Sequence, residues 1–552
     1  MAEAPLPSAS PQSASLSAAQ APAAAGQSGP LPADFVVGER FNLASFFLDR
    51  HAEQGSARIA LRVGDELRTY GRLIERSRRV AAALRRARVR PEERVLLALS
   101  DGFEYAESWF GILRAGAVFA MVNPLLPAEE FEYYARYTKA RVAIVDGGLA
   151  ATFVALKARV PSLEQVWAVG AQDGCALPYE EALGAEDPGS ALAETEPTGP
   201  DDLAGWLFTS GSTGKPKACV HRQLDFAYNT ETYARQVIGY RPEDICLGVP
   251  KLFFGYATGT NLMFPLRFGA SAVLFPGRST PDALFEQIER HRPTILTSVP
   301  TMIGQMLRSP RLESIDWSPL RAVLSAGEAL PEELYREWKR RTGAEILDGI
   351  GSAEMFHIYI SNRPGDVRPG SLGRLVPGYD AQIVGPSGEP LADGEPGRLR
   401  VRGGSTALCY WGDRQKSVET FQGEWCTSAD IFRRDGQGYF YYEGRSDDLL
   451  KVSGIWVSPL EIENALLRHP AVAEVCVVGE EDQDRLVKPL AYVVLKSGQR
   501  GSLALADELK AHLKTLLAPH KYPRRFEWRE SLPRNDRGKV ARKQLAEEAQ
   551  RR

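Results

Sequence analysis

The sequence predicts an α/β protein: a large N-terminal domain of parallel sheets covered by helices, with a small β-rich subdomain, and a small α+β domain at the C-terminus. The chain has 552 residues, more than one hydrophobic core normally holds. From about residue 41 onward, short β-branched segments alternate with longer amphipathic ones, which is typical of parallel sheets covered by helices. The pattern changes to short strands with Gly and Pro turns over residues 369–404, and changes again near residue 447.

The elements of the large domain follow from two periodic patterns. We expect strands where a few apolar, often β-branched residues occur together, and helices where apolar residues recur at helical spacing. The predicted strands are Arg94–Leu99, Arg141–Asp146, Ala272–Phe275, Thr294–Ser298 and Arg321–Ser325, and the predicted helices include Tyr70–Arg86 and Glu104–Ala115.

Composition predicts the domain boundaries. Residues 1–30 are mainly Ala, Pro, Ser, Gln and Gly without Lys or Arg, which indicates a disordered tail and fits neither a secretory signal nor a transit peptide. The large domain is expected over residues 31–446 and the small domain over residues 447–552. In the small domain the predicted helices are Pro459–His469 and Leu503–Leu517, and the predicted strands are Ala473–Val478 and Leu490–Leu495.

Composition also argues against several classes of partner. The net charge of −3 gives no basic surface for nucleic acid or for an anionic membrane. No apolar segment approaches the roughly 20 residues that a membrane helix needs. The six cysteines form no CxxC pair and no Cys/His cluster, which is typical of reduced thiols in a cytoplasmic protein.

The strongest single motif is a loop rich in glycine and hydroxyl residues, Thr209-Ser210-Gly211-Ser212-Thr213-Gly214-Lys215-Pro216-Lys217. Backbone N–H groups and hydroxyls of such a loop can surround phosphate oxygens, and lysines add positive charge. A P-loop ATPase needs four residues between its glycine and Gly-Lys, and a following Ser or Thr. Here two residues separate Gly211 from Gly214, and Pro216 follows Lys215, so the loop predicts a phosphate site of another kind.

With five further motifs in order, this loop resembles that of the adenylate-forming superfamily, which includes acyl- and aryl-CoA synthetases, peptide-synthetase adenylation domains and luciferases. The further motifs are Ser325-Ala326-Gly327-Glu328, Asp348-Gly349-Ile350-Gly351-Ser352-Ala353-Glu354, the segments around Asp430 and Arg445, and the segment from Pro533 to Lys539. The resemblance extends over about residues 40–545. It implies ATP, Mg²⁺ and coenzyme A (CoA) as cofactor and cosubstrates.

The resemblance also implies roles for single residues. Glu354 would bind magnesium, because a hard cation that bridges phosphates prefers carboxylate oxygen. Asp430 would accept the ribose hydroxyls, and Arg445 would offer planar donors to ribose or phosphate. Thr209, Glu354 and Lys539 would be catalytic, with Lys539 bridging the substrate carboxylate and the α-phosphate. The remaining nucleotide-binding residues would be Ser210, Gly211, Ser212, Thr213, Gly214, Lys215, Ser325, Ala326, Gly327, Glu328, Asp348, Gly349 and Ile350.

Two residues depart from the family pattern. Ile350 stands where the family usually has an aromatic residue against adenine, so stacking becomes apolar contact. Ala353 stands where the family usually has a threonine that binds the α-phosphate, so one donor is missing. Loss of one preorganised donor can slow a reaction on the order of a hundredfold, and a slower enzyme or a compensating contact remains open.

Family resemblance further implies that the small domain is mobile and rotates between two half-reactions. Asp447 would be the hinge. The rotation would remove Lys539 from the site and bring in Ser453, Gly454 and Trp456 to line the CoA tunnel, where Gly454 allows close approach of a thin ligand.

The segment Lys251-Leu252-Phe253-Phe254-Gly255-Tyr256-Ala257-Thr258-Gly259 is similar to that of benzoate-type CoA ligases. The expected substrate pocket comprises Phe254, Gly255, Tyr256, Ala257, Gly351 and His357. Aromatic and apolar walls suit a flat ring and exclude a long chain. Gly255 replaces the alanine usual in benzoate-specific members and leaves room for a ring substituent, so 2-aminobenzoate and 4-hydroxybenzoate join benzoate as candidate substrates.

The implied function is that of an ATP-dependent aryl-CoA ligase. It would convert a small aromatic carboxylate to an acyl-AMP with release of pyrophosphate, and then transfer the acyl group to CoA with release of AMP. Three alternatives stay open: an adenylation enzyme that loads an aryl group on a carrier protein, a luciferase-like oxygenase, and a non-catalytic nucleotide-binding protein. The sequence does not predict an oligomeric state.

Overall fold

The computed structural model describes residues 30–170, 174–184, 190–209, 215–445, 449–452, 455–481, 487–534 and 540–550. Its strands are β1 Ile59–Val63, β2 Glu66–Thr69, β3 Arg94–Ala98, β4 Val118–Met121, β5 Val142–Asp146, β6 Gln165–Val169, β7 Leu177–Pro178, β8 Leu203–Thr209, β9 Lys217–Arg222, β10 Ile245–Gly248, β11 Ser271–Val273, β12 Ile295–Ser298, β13 Ala322–Ser325, β14 Ile346–Gly351, β15 Ile358–Ser361, β16 Arg374–Leu375, β17 Asp380–Val384, β18 Gly397–Arg402, β19 Cys409–Tyr410, β20 Phe421–Gln422, β21 Trp425–Arg434, β22 Phe440–Arg445, β23 Leu450–Val452, β24 Ile455–Val457, β25 Val472–Glu481, β26 Val487–Leu495 and β27 Arg525–Arg529.

The helices are α1 Leu43–Leu48, α2 Tyr70–Arg86, α3 Phe103–Arg114, α4 Ala128–Thr138, α5 Ala150–Lys157, α6 Tyr179–Leu183, α7 Gln223–Asn229, α8 Gly255–Thr258, α9 Phe264–Arg267, α10 Pro281–His291, α11 Pro300–Arg308, α12 Glu332–Thr342, α13 Arg414–Thr420, α14 Pro459–Leu467, α15 Leu503–Lys514 and α16 Arg542–Gln550. π-Helical segments continue α7 over Thr230–Ile238 and α8 over Gly259–Met263. In this part of the chain no helix is both long and apolar enough to cross a membrane.

Two large sheets form the framework of the fold. One has the strand order β16-β15-β14-β13-β12-β10-β11-β1-β2, and the other has the order β19-β9-β8-β4-β3-β5-β6-β7. The centre of each sheet is parallel, whereas β15 and β16 in the first and β9 and β19 in the second pair antiparallel at one edge. The expected α/β fold with parallel sheets is therefore confirmed.

The β-rich segment forms a separate antiparallel sheet with the strand order β17-β18-β21-β20, in which β22 also pairs with β21. The C-terminal segment has its own three-stranded sheet, β25-β26-β27, covered by helices. A hydrophobic cluster that runs from Leu450 to Leu513 belongs to this segment alone. The boundaries at residues 31, 446 and 447 stay predictions.

Most predicted elements of the large domain occur within one or two residues of their expected bounds. The helix Tyr70–Arg86 has the predicted bounds, because Thr69 caps its first turn and accepts from Arg72 N at 3.2 Å. In the C-terminal segment, β25 and β26 are longer than expected, and neither β27 nor α16 was predicted. The strand β27 is only five residues long and all of its residues are only partly buried, so its short alternation of charged and aromatic residues is a weak signal.

Helices α2 and α3 pack closely and enclose a charged pair. A Cβ atom on Gly111 of α3 would lie 2.4 Å from Val80 Cβ of α2, so the contact requires glycine. Arg76 Nε donates to Glu107 Oε2 at 2.7 Å, and both side chains are less than 10% exposed. Burial raises the pKa of Glu107 and Arg76 opposes that rise. The guanidinium thus offsets part of the cost of burying this carboxylate.

We therefore expect Arg76→Met to lower the free energy of unfolding by about 3–5 kcal/mol, because it leaves a buried carboxylate without its partner. Urea unfolding at neutral pH measures this loss. Arg72→Met is the matched control, since Arg72 pairs with Glu75 at the surface, and such pairs contribute at most about 1 kcal/mol. Glu107→Gln in the Arg76→Met background should recover part of the loss; equal losses in the Arg72 and Arg76 variants contradict the explanation.

Candidate active site

Many of the predicted site residues lie at the carboxyl ends of strands in the two large sheets. Thr209 ends β8, Ser325 ends β13 and Gly351 ends β14. Ser325 is in register with Asp348 on the neighbouring strand. The carboxyl edge of parallel strands is where ligands bind in α/β folds.

The predicted phosphate loop connects two antiparallel strands. Thr209 on β8 pairs with Lys217 on β9, so both ends of the loop are held by the sheet. Lys217 Nζ lies 2.6 Å from Asp413 Oδ2, which engages this lysine within the protein. Lys215 Nζ lies 5.7 Å from the ring centre of Tyr133, whose hydroxyl donates to Pro216 O at 2.6 Å. Residues 210–214, which include the predicted Ser210, Gly211, Ser212, Thr213 and Gly214, lie outside the described residues.

Glu354 lies in a short 3₁₀ turn, Ala353–Met355, after β14. Its side chain is half-buried, and Oε1 accepts a hydrogen bond from the Tyr410 hydroxyl at 2.6 Å. Among the described residues, no hydrogen bond or ion pair to Oε2 occurs and no group of three His, Cys, Asp or Glu side chains could hold a metal ion. One carboxylate fits Mg²⁺ that also binds substrate phosphates, because such ions usually keep only one or two protein carboxylates.

The segment predicted to cover adenine is fixed by internal contacts. Glu328 Oε2 accepts hydrogen bonds from Thr301 N at 3.0 Å and from Thr301 Oγ1 at 2.8 Å, at the start of α11. Gly327 has φ +87°, a left-handed conformation that favours glycine. Burial raises the pKa of Asp348 to about 8, although Ser325 opposes the shift. Asp348 is therefore largely protonated at neutral pH.

The two residues predicted to bind ribose face each other. Asp430 on β21 and Arg445 on β22 are cross-strand partners, with Arg445 Nε 4.0 Å from Asp430 Oδ1. Asp430 and Glu354 both lie on the side of Tyr359, since both carboxylates contribute to the raised pKa of Tyr359, after burial and Cys426. Tyr359 thus lies between the candidates for ribose and for magnesium in the electrostatics of the site.

The start of the predicted substrate segment is anchored between the two large sheets. Asp101, which follows β3, accepts from Leu252 N at 2.8 Å, and burial raises the pKa of Asp101 to about 6. Lys251 Nζ donates to Phe275 O at 2.8 Å, and burial lowers the pKa of Lys251 to about 8. These contacts fix the chain just before Phe254.

His357 is enclosed by aromatic rings and is 2% exposed. The ring centres of Phe264, Tyr256, Phe356 and Tyr233 lie within 4.8–5.6 Å of its own. Its Nε2 lies 3.0 Å from Tyr256 O and must carry the proton, because a carbonyl only accepts. Burial lowers the pKa of His357 to about 3, so the ring is neutral and Nδ1 is an acceptor with no hydrogen-bond partner among the described residues.

The rest of the predicted pocket adjoins this imidazole. Tyr256, at the start of α8, has a buried hydroxyl without a hydrogen-bond partner in the described part of the chain, and Ala257 is fully buried. Gly255 is half-buried, and a Cβ atom there would lie 3.4 Å from Leu207 Cδ1, an ordinary contact. A Cβ atom on Gly351 would lie 2.5 Å from His357 O, so this position requires glycine.

Several predicted residues fall outside the described residues. They are the catalytic Lys539, the hinge Asp447, and Ser453 and Gly454 of the CoA tunnel. Trp456, the third tunnel residue, lies in β24.

Three residues near the site were not predicted from the sequence. Tyr410 contacts Glu354, Asp413 pairs with Lys217, and His221 Nε2 lies 2.7 Å from Ala353 O. For His221, its position a few residues after the phosphate loop is a sequence feature that could have predicted a place near the site. No local pattern marks Tyr410 or Asp413.

Comparison with known families agrees with this geometry. Residues 48–411 match the AMP-binding enzyme family, and residues 461–539 match the AMP-binding enzyme C-terminal domain. The chain belongs to the AMP-binding enzyme family.

This AMP-binding enzyme is similar along most of its length to characterised relatives. It is 42% identical to the benzoate–CoA ligase of Thauera aromatica over 93% of this chain and 97% of the relative. The crystal structure of the anthranilate CoA ligase AuaEII with anthranoyl-AMP superposes with a TM-score of 0.88 at 37% identity, covering 93% of this chain and 98% of that one. A benzoate CoA ligase from Burkholderia xenovorans LB400 gives a TM-score of 0.83 at 40% identity, covering 92% and 100%.

The lowered pKa of His357 predicts acid sensitivity of the AMP-binding enzyme. The unfolded chain takes up a proton on this residue below pH 6.5, whereas the folded chain does so only near pH 3. The stability that the folded state gains from a neutral His357 is therefore complete above pH 6.5. This contribution decreases by about 1.4 kcal/mol for each pH unit as the pH falls from 6.5 toward 3. The difference in unfolding free energy between wild type and His357→Gln should therefore shrink as the pH is lowered from 6.5 toward 3. Tyr256→Phe is the control, because its difference from wild type should not change with pH. A constant difference for His357→Gln contradicts burial as a neutral ring.

Proposed function

We propose that this AMP-binding enzyme is an ATP-dependent aryl-CoA ligase of the benzoate type. The observation that carries the proposal is the aromatic enclosure around His357, three residues after Glu354 and on the same reversal of the chain. Aromatic and apolar walls beside a phosphate-binding edge suit an aromatic ring whose carboxylate faces ATP. Relatives that are named benzoate–CoA and anthranilate–CoA ligases support the assignment.

In the first half-reaction the substrate carboxylate attacks the α-phosphorus of ATP, and pyrophosphate leaves. The phosphate loop between Thr209 and Lys217 surrounds phosphate oxygens with backbone N–H groups and positive charge. Asp430 and Arg445 hold the ribose, and Lys539 bridges the carboxylate and the α-phosphate. Glu354 would hold Mg²⁺, which would supply positive charge to offset that of the phosphates.

In the second half-reaction the CoA thiol attacks the acyl carbonyl, and AMP leaves. We propose that the small domain pivots at Asp447, removes Lys539 and presents Ser453, Gly454 and Trp456 to the pantetheine arm. The two half-reactions need different residues beside the α-phosphate, because negative charge builds up on phosphate only in the first half-reaction.

The preferred acid is benzoate or a benzoate with one small polar substituent, with 2-aminobenzoate favoured. His357 Nδ1 is a buried acceptor, and an amino group on the ring can donate to it. The absence of a side chain at Gly255 would leave room for the substituent. ATP, Mg²⁺ and CoA complete the reaction mixture, and the metabolic pools of ATP and CoA, together with six free cysteines, favour the cytoplasm.

A second candidate is an adenylation enzyme that transfers the aryl group to a carrier-protein thiol. The experiment that tests both functions supplies benzoate, 2-aminobenzoate, 4-hydroxybenzoate and octanoate with ATP and Mg²⁺. We expect aromatic-acid-dependent pyrophosphate release and, with CoA, a thioester and AMP. Pyrophosphate release without thioester favours a carrier protein, and preference for octanoate contradicts the benzoate type.

We predict that Gly255→Ala lowers kcat/KM for substituted benzoates more than for benzoate. The new methyl packs against Leu207 at 3.4 Å without strain, so the protein should fold, while the space beside the ring shrinks. One methyl in a tight pocket changes specificity about 10- to 200-fold. The measurement is kcat/KM for benzoate, 2-aminobenzoate and 4-hydroxybenzoate.

Two control variants sharpen this comparison. Gly277→Ala places its methyl with no atom within 4 Å and should change nothing, whereas a Cβ on Gly259 would lie 2.5 Å from His357 Nε2 and should impair all three acids. Unchanged ratios in Gly255→Ala show that residue 255 does not contact the ring.

We also predict that Lys539→Ala lowers adenylation at least about a hundredfold while largely sparing thioester formation from pre-made benzoyl-AMP. The charge is needed only where phosphate is displaced, and acetylation of this amine should inactivate in the same way. Pyrophosphate exchange and single-turnover thioester formation measure the two steps. Lys543→Ala, an exposed lysine in α16, is the control; equal losses in both steps exclude the proposed role.

A further inference from the structure

The turn that carries Glu354 is held at every backbone carbonyl. His221 Nε2 lies 2.7 Å from Ala353 O, Ala407 N donates to Glu354 O at 2.8 Å, and Ser405 Oγ donates to Met355 O at 2.8 Å. Three consecutive acceptors are thus satisfied by groups from outside the turn. The backbone of Glu354 has little freedom, which leaves the side-chain torsions to determine where the carboxylate points.

The imidazole in this arrangement is itself fixed. His221 is fully buried, and its Nδ1 lies 2.9 Å from Asp225 Oδ2. Arg222 binds the other oxygen of the same carboxylate at 2.9 Å. Both ring nitrogens of His221 therefore face oxygen atoms, which fixes the orientation of the ring.

Tyr410 fixes the remaining freedom of the carboxylate. Its hydroxyl donates to Glu354 Oε1 at 2.6 Å, a charge-assisted hydrogen bond, and the tyrosine is 7% exposed. Because Oε1 is held, Oε2 is directed to one place. Tyr410 is a poor candidate for direct contact with ATP, since its hydroxyl proton is already donated to the carboxylate.

Tyr410 also connects this carboxylate to the phosphate loop. It lies in β19, where it pairs with Cys219 of β9, the strand that begins at Lys217 after the loop. Lys217 Nζ lies 5.9 Å from the Tyr410 ring centre and pairs with Asp413, three residues further along. Through Tyr410, the short strand β19 thus contacts both Glu354 and Lys217, which in the proposed function act on the same phosphates.

We propose that Tyr410 is a positioning residue that orients the Glu354 carboxylate for magnesium and sets its distance to the phosphate loop. This inference rests on the magnesium role of Glu354 in the proposed function. It adds a residue that contacts neither substrate nor metal and acts through its hydrogen bond. Partners of a metal-binding carboxylate that lie outside the coordination sphere typically change metal affinity 10- to 100-fold.

The test is binding of α,β-methylene ATP, which cannot be cleaved at the α-phosphate, measured by calorimetry with Mg²⁺ and again with EDTA. In Tyr410→Phe we expect binding with Mg²⁺ to weaken about 10- to 100-fold and binding in EDTA to be unchanged. Glu354→Gln should give the same pattern, and the double variant should lose no more than Glu354→Gln alone. Electron paramagnetic resonance of Mn²⁺ with the same nucleotide reads the metal directly.

Tyr70→Phe is the matched control, because Tyr70 is also buried in the large domain and donates to Ala270 O at 2.7 Å, in contact with neither Glu354 nor the phosphate loop. It should lower the unfolding temperature as Tyr410→Phe does and leave nucleotide binding unchanged. Equal weakening of binding with Mg²⁺ and with EDTA in Tyr410→Phe, additive losses in the double variant, or no loss overturns the proposal.

The outcomes separate this inference from the proposed function. No aromatic acid is present in the binding experiment, so failure of every benzoate as a substrate overturns the aryl-CoA ligase assignment alone. A normal Tyr410→Phe beside a defective Glu354→Gln overturns the positioning role alone. If Mg²⁺ has no effect on the wild type, both the metal role of Glu354 and the inference fail.

Discussion

The reversal of the chain between β14 and β15 depends on the absence of a side chain at Gly351. A Cβ atom there would lie 2.5 Å from the carbonyl of His357 and 2.8 Å from Ile358 N, so only glycine lets the two strands approach this closely. The reversal carries Glu354 at its start and His357 at its end. One steric constraint thus determines the separation between the candidate metal-binding carboxylate and the candidate ring pocket, and therefore between the two reacting ends of the substrates.

Burial sets the charge state of the groups around this reversal. Asp348 is largely protonated and His357 is neutral at neutral pH, because burial shifts the pKa of each toward its uncharged form. Glu354, by contrast, remains half-buried beside a tyrosine donor. Charge is therefore concentrated at the edge where phosphates are expected, while the pocket for the ring stays uncharged, which matches the different chemistry of the two substrates.

The sequence predicts those parts of the molecule that have a local signal. Regular apolar periodicity predicted α2, and glycine with hydroxyl residues predicted the loop between β8 and β9. The contacts of Tyr410 with Glu354 and of His221 with Ala353 join residues 56 and 132 positions apart, and β19 is only two residues long. Such contacts arise from antiparallel pairing at the edge of a sheet, which no short window of sequence determines.

The contacts at this sheet edge also involve Ala353, the position at which the sequence has alanine in place of the threonine usual in the family. A threonine hydroxyl there would supply one donor to the α-phosphate, and alanine supplies none. The Ala353 side chain instead packs against the apolar cluster of Cys219, Ala407 and Tyr410. This contact, with the hydrogen bond from His221 to Ala353 O, joins the turn to β9 and β19. A rigid turn reduces the reorganisation needed when charge develops, and electrostatic stabilisation depends on such preorganisation as well as on the number of donors. The turn that lacks this hydroxyl is therefore held by the packing and the hydrogen bond behind Glu354.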